Sequence, residues 1–356
     1  GRLTVSHRNF VKGPRHALIH AMPALIAGLA ALLAVTMIVA IGVGSVAIPL
    51  DAVWGVIANK LAPGSVEVFW SSGRENIVWD VRAPRVILGA TVGASLAVVG
   101  AALQSVTRNP LADPHLLGVS SGAALGAILA LLHAGMVFGP ITVPLFAFAG
   151  ALAATALVLM VANLTRAHSA GQLVLAGVAV SFIITAAGNL LIFLADPRAA
   201  PMVIFWMLGG LGLAQGQQLA YPLLALAGGG GYLLTQARNL NAMTLGDESA
   251  TALGLPARRF RLVIFVVCAV LTGSAVAYSG VIAFVGLMIP HVVRLAVGGD
   301  YRRVLPLSAL VGAIFLVTAD MAARTVLPPQ DMPLGILTGL IGGVAFVALM
   351  RRRVTN

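Results

Sequence analysis

The chain has 356 residues, of which 59% are hydrophobic and only 9% charged, and its formal net charge is +11. A soluble domain carries roughly a quarter of its residues as charges, so this composition excludes an ordinary soluble protein and indicates a polytopic membrane protein. The basic residues fall mainly between apolar runs, as topology signals do, so they do not call for nucleic acid, and the single Cys268 inside an apolar run excludes a disulfide framework or a thiolate metal cluster.

A helix needs about 20 apolar residues to cross the hydrocarbon core, and the uncharged runs set the count. Arg2, Arg8, Lys12 and Arg15 precede an uncharged stretch, 21–50, too long for a signal-peptide core. Residues 1–23 therefore read as a cytoplasmic tail and 24–46 as the first span. The second span is 86–106. The run 116–165 exceeds one helix, and Gly139, Pro140 and Pro144 divide it into the third and fourth spans. The fifth follows at 172–194 and the sixth at 219–236. Between them, 196–218 holds a short apolar patch, 202–208, expected as a re-entrant or surface helix.

Residues 237–261 make a long polar interruption with spans on both sides. Asp247 and Glu248 stand where a helix start favours negative charge, Gly254 where a helix stops, and Pro256 two residues on. Leu245, Ala250, Leu253 and Leu255 exceed what a solvated connector needs, so a short surface helix docked on another protein is expected. The uncharged run 262–293 fits one tilted helix or two short ones. The four arginines of 238–261 and the three of 294–303 belong on one side by the positive-inside bias, which requires an even number of crossings and divides the run at Ser279 and Gly280. Spans at 304–323 and 332–350, followed by Arg351, Arg352 and Arg353, complete ten crossings with both termini cytoplasmic. This leaves 16 of the 22 basic residues inside; the exceptions are Lys60, Arg74, Arg82, Arg85, Arg198 and Arg324.

Reactive chemistry is sparse. A P-loop needs Gly-Lys-Ser/Thr, whereas Lys12 follows Val11 and Lys60 follows Asn59. HExxH and GxSxG are absent too, which leaves a membrane enzyme little to stand on. Ion-coupled transport usually needs intramembrane charge, and Asp320 is the one carboxylate in an expected span, four residues before Arg324 and able to pair with it on one helix face. His291 beside Pro290 reads as a structural histidine, and His133 as a solvated one. Gly177, Ser181, Thr185 and Asn189 form a small, polar stripe on the fifth span, which either lines a wet pathway or packs a neighbour. Gly89 and Gly93 form a GxxxG expected to pack closely.

Four blocks carry a resemblance. The run from Arg108 and Asn109 through Pro110, Leu111, Ala112, Asp113, Pro114 and His115 to Ala123 resembles the signature of the FecCD family, permeases of ABC importers for haem, ferric siderophores and vitamin B12. Trp79 to Arg85 (WDVRAPR), Leu245 to Gly254, and Gly286 to Arg294 (GLMIPHVVR) agree in order and spacing over nearly the whole chain.

The resemblance implies an all-α, BtuC-like type II importer permease fold with about ten transmembrane helices, in one domain spanning 1–356. It implies a homodimer in the bacterial inner membrane, in contact with lipid, with two ATP-binding cassette subunits beneath and a periplasmic substrate-binding protein above. ATP and Mg would bind the ATPase and no cofactor this chain. Arg82, Arg85 and Arg324 would receive acidic residues of the binding protein. Leu245, Gly246, Asp247, Glu248, Leu253 and Gly254 would couple to the ATPase. Asn109, Leu111 and Ser169 would lie at the cytoplasmic gate, and Ser181, Thr185 and Asn189 would line the translocation pathway. The WDVRAPR block is most similar to the haem branch, so haem is the expected cargo, with ferric siderophore and cobalamin following; a secondary transporter is the rival class.

Overall fold

The computed structural model describes residues 20–354. The basic tail of Arg2, Arg8, Lys12 and Arg15 lies outside the described residues, as do the side chains of Arg352 and Arg353. In chain order the helices are α1 (Met22–Gly42), α2 (Leu50–Leu61), α3 (Ser72–Asn76), α4 (Ala83–Val106), α5 (Val119–Ile128), α6 (Thr142–Leu164), α7 (Ala170–Phe193) and α8 (Ala200–Leu208). They continue with α9 (Ala220–Ala225), α10 (Gly231–Thr235), α11 (Ala237–Met243), α12 (Asp247–Ala252), α13 (Ala257–Ser279), α14 (Val285–Val297), α15 (Tyr301–Ala323) and α16 (Leu334–Val354). One π-helical turn joins α3 to α4, another extends α5, and a third joins α9 to α10.

Among the described residues, seven helices are long and apolar enough to cross a bilayer: α1, the continuous α3–α4 rod, α6 with its leading turn, α7, α13, α15 and α16. The other three expected spans are shorter. The helix 119–134, the 220–235 rod and α14 rise about 20–24 Å each, less than the roughly 30 Å hydrocarbon core. The expected breaks are present. Gly135 and Gly139 take positive φ before Pro140, and α13 stops at Ser279, where Gly280 turns left-handed before α14. Residues 281–284 run without helix between α13 and α14.

Burial identifies the axis of the bundle. The apolar window of the α3–α4 rod is 89% buried, against 11% for α1, 17% for α16 and 28% for α7. α4 packs against α15, α13 and α14, while α5 and α6 form a neighbouring pair joined by α7. Close approach replaces large side chains at the centre. A Cβ on Gly93 would stand 2.3 Å from the Gly312 carbonyl oxygen, and one on Gly312 would stand 2.5 Å from that of Gly93, so α4 and α15 touch backbone to backbone. The expected GxxxG packing is therefore present at Gly93, with α15 as the partner. The exposed apolar faces of α1, α7 and α16 are surfaces that lipid or another chain can cover and water cannot.

α8 folds back into one end of the bundle. The Gly210 amide donates to the Ser279 carbonyl, the Leu334 amide to the Gly209 carbonyl, and Leu211 is wholly buried. The loop after α8 is pinned between the α13–α14 break and the start of α16, while of α8 itself only Val203 is buried.

Candidate functional site

The interrupting segment forms two short helices rather than one, and of its four arginines only Arg238 lies in them, on α11; Arg258, Arg259 and Arg261 lie in the first turns of α13. The start of α12 also differs from expectation. Gly246, not Asp247, is the N-cap, at φ 106° and ψ 162°, a conformation open essentially to glycine. Arg108 of the RNPL block lies close by, its Nη1 3.4 Å from where a Cβ on Gly246 would stand. The stop at Gly254 is as expected. Gly254 (φ 88°) donates to Thr251 O and Leu255 to Ala250 O, the paired bonds of a Schellman motif.

This platform divides its apolar residues into two sets. Leu240, Met243 and Ala250 are buried beneath it, whereas Leu245 and Leu253 are 65% and 68% exposed and Glu248 is exposed with them. Two leucines held out by a rigid, capped turn make a surface suited to a partner's groove. Beneath, the last turn of α4 is bonded residue by residue. Gln104 Nε2 donates to Ala112 O and to Gly286 O, and Arg294 donates to Gln104 Oε1. Ser105 Oγ donates to Leu240 O, and Arg261 Nε to Val106 O. Asn241 Nδ2 donates to Asp300, and Asn241 Oδ1 accepts from the Tyr301 amide. Arg302 foremost, with Asn241, holds the Asp300 carboxyl well below the usual carboxylate range.

The expected gate residues lie near this end, with their polar atoms engaged locally. Asn109 Oδ1 accepts from the Leu111 amide as an Asx turn, and Leu111 is exposed. Ser169 caps α7 in a reciprocal capping box with Gln172. His115 Nε2 reaches Ile282 O at 2.9 Å, and its Nδ1 meets Ser120 Oγ, tying the RNPL block to the α13–α14 break.

At the opposite end, Arg82, Arg85 and Arg324 come together around Asp320. Arg82 donates to the carbonyls of Ile41, Gly42 and Val46, and Arg324 to those of Ala40 and Val43. Arg85 grips Asp320 through Nε and Nη2 and reaches Asp331 at 2.6 Å through Nη1. Arg324 Nε lies 3.2 Å from Asp320 Oδ2, the same-face pair anticipated from their spacing. Arg82 and Arg324 are each only 6% exposed, so in this conformation neither presents a free guanidinium to a partner. The other three exceptions to the charge bias divide. Lys60 pairs with Glu75 at 2.8 Å, and Arg74 and Arg198 are exposed.

The stripe on α7 splits. Gly177 approaches the Leu116 carbonyl closely, and Ser181 Oγ donates back to Gly177 O, so this half packs. Thr185 and Asn189 are exposed. His133 is exposed, as expected of a solvated histidine, and its Nε2 also lies 3.0 Å from Leu191 O, between the end of the α5 rod and α7. His291 is half-buried on α14. A cavity of about 650 Å³ opens at the arginine end, walled by Met136, Met202, Phe205, Trp206, Tyr278 and Met332, with Arg85 and Asp331 at its margin. Among the described residues no group of His, Cys, Asp or Glu is placed to hold a metal ion.

Sequence reasoning missed Asp331, Gln104 and Arg261. Asp331 follows a Pro-Pro turn in a loop with no helical spacing to Arg85, and Arg261 reads as one more topology arginine until its burial is known.

The FecCD transport family matches residues 32–352. The chain belongs to that family. It is 39% identical over 305 residues to the hemin transport system permease protein HmuU of Yersinia pestis, covering 81% of this chain and 88% of the other. It is 42% identical over 277 residues to the cobalamin import system permease protein BtuC of Halobacterium salinarum, covering 78% and 74%. A structure described as an inward-facing conformation of a metal-chelate type ABC transporter matches with a TM-score of 0.79 at 30% identity, over 93% of this chain and 99% of that one. The FecCD chain described here is thus an all-α, multi-span membrane permease of the ABC importer type that serves haem, iron chelates or B12, and its fold is the one this type uses.

Proposed function

We propose that the chain is the permease of an ATP-driven importer in the bacterial inner membrane, a homodimer that moves haem from a periplasmic binding protein by alternating access. The observation that carries this reading is the platform of α11 and α12. It exposes Leu245, Leu253 and Glu248 on a capped turn while its underside is hydrogen-bonded to α4 and α15, so a push on it reaches the most buried helix of the bundle. Two ATPase subunits seated there would supply the push; the ATP and Mg belong to them. The topology follows with α12 and both termini cytoplasmic and the arginine cluster periplasmic.

Docking of the binding protein is proposed at that periplasmic end. Arg85 is the accessible member of the cluster, because one of its partners, Asp331, is itself exposed and can be displaced by an acidic residue of the partner. Arg82 and Arg324 then act by holding the loop after α1 and the end of α15 in place. Asn109, Leu111 and Ser169 bound the pathway on the cytoplasmic side, and the exposed Thr185 and Asn189 face it along α7, whereas Ser181 belongs to the packed half of the stripe.

The haem assignment rests on the WDVRAPR block. Cobalamin is the second reading, favoured by the 42% identity to a cobalamin permease. An ion-coupled mechanism has less support, since Asp320, the one carboxylate in an expected span, is ion-paired to both Arg85 and Arg324.

Proteoliposomes holding the permease with its ATPase, given binding protein loaded with haemin or with cyanocobalamin, separate these readings. Haemin-stimulated hydrolysis with haemin accumulating across the membrane is the expected result. A response to cyanocobalamin alone retains the importer and replaces the cargo, and absence of any associating ATPase removes the importer reading.

A further inference from the structure

Arg261 is wholly buried, yet it is a cation, and burying a guanidinium is costly unless its donors are met. Two of them are met by different elements. Nε donates at 3.0 Å to the carbonyl of Val106, the last residue of α4, and Nη2 pairs with Asp247, the first residue of α12. The last carbonyls of a helix have no partner within it and favour a cation, so Arg261 caps α4 from the second turn of α13. Nη1 is buried without an acceptor. Asp247, by contrast, is 41% exposed beside the docking leucines.

We propose that Arg261 is the positioning residue through which movement of α12 reaches α4. The inference rests on the importer reading above. The path is short and continuous: docking surface, Asp247, guanidinium, α4 carbonyl. α4 is the central rod of the bundle, and some 36 Å away its other end carries Arg82 and Arg85. The unmet Nη1 donor gives the connection a second setting. A displacement of α12 that carries an acceptor to Nη1 lets the guanidinium exchange partners without leaving its buried site, since its five donors form a fixed fork.

The test uses the reconstituted permease with its ATPase and binding protein, and whichever of haemin, cyanocobalamin and ferric citrate the wild type transports. Arg261→Lys retains a cation able to reach Asp247 but lacks the fork that holds Val106 at the same time. Asp247→Asn removes the charge while keeping the shape. The readout is solute moved per ATP hydrolysed, which a smaller folded fraction leaves unchanged because uptake and hydrolysis fall together. The expected result is a fall of about tenfold in that ratio for Arg261→Lys. Asp247→Asn should fall comparably, and the double variant no further than the worse single one, as for residues acting through one contact. An unchanged ratio in both variants overturns the proposal, and so does a loss of uptake and hydrolysis in step, which makes Arg261 an anchor of the fold alone. A wild-type complex that moves none of the three solutes on ATP overturns the importer reading, and the role of Arg261 with it.

Discussion

Asp320 shows how one residue's worth is set by its surroundings. Its carboxylate is 1% exposed, gripped by Arg85 and beside Arg324, with Arg82 nearby. Removing one partner of a buried ion pair strands the rest, at about 3–5 kcal/mol. Asp320→Asn is therefore expected to lower thermal stability in detergent by several degrees or to prevent folding, whereas Asp331→Asn, which removes an exposed partner of the same Arg85, should change stability by no more than about 1 kcal/mol. Equal melting shifts for the two would show that the cluster is not the buried network its contacts describe. The spacing of Asp320 and Arg324 made their pairing legible in the sequence, because i and i+4 share a helix face. The joining of Arg85 to them was not, since that contact crosses 235 residues.

At the scale of elements, the contact of α4 with α15 depends on the absence of side chains. Gly312→Leu would drive a Cβ to 2.5 Å from the Gly93 carbonyl oxygen, backbone against backbone, where no rotamer gives relief. Overpacking of this kind costs about 1–3 kcal/mol, so a marked drop in melting temperature is expected, while Gly339→Ala on α16, with nothing within 4 Å of the new Cβ, should be neutral. A Gly312→Leu chain as stable as the wild type would refute the close approach. The breaks between elements were readable from Gly and Pro alone: 139–140 and 279–280 fall where the uncharged runs grow too long for one helix. Helix lengths were less so, because α14 and the α5 and α9–α10 rods fall short of a full crossing and rely on their neighbours. The split of the α7 stripe was equally hidden. Periodicity placed Gly177, Ser181, Thr185 and Asn189 on one face, but only Gly177 and Ser181 meet the Leu116–Gly118 segment, a contact between residues some sixty apart.

For the whole molecule, coupling through α12 carries the sharpest expectation. Glu248→Lys and Leu253→Asp alter exposed groups on a platform whose buried side stays intact, so the permease should fold while ATP hydrolysis in response to loaded binding protein is lost. Unchanged stimulation of the reconstituted complex would place the ATPase elsewhere. The amino-acid sequence by itself determined the class, the approximate number and order of membrane helices, the polar segment 237–261 between them and the family. These follow from composition, from run length against bilayer thickness and from contiguous motifs, all of them local along the chain. Only the tertiary structure decided that α4 is the central rod, that the three arginines at one end are internally bonded, and that Arg261 is buried between α12 and α4. Those facts arise from contacts between residues far apart in sequence, where burial converts an ordinary arginine into a charge that must be paired, and nothing in the linear order of residues records which ones meet.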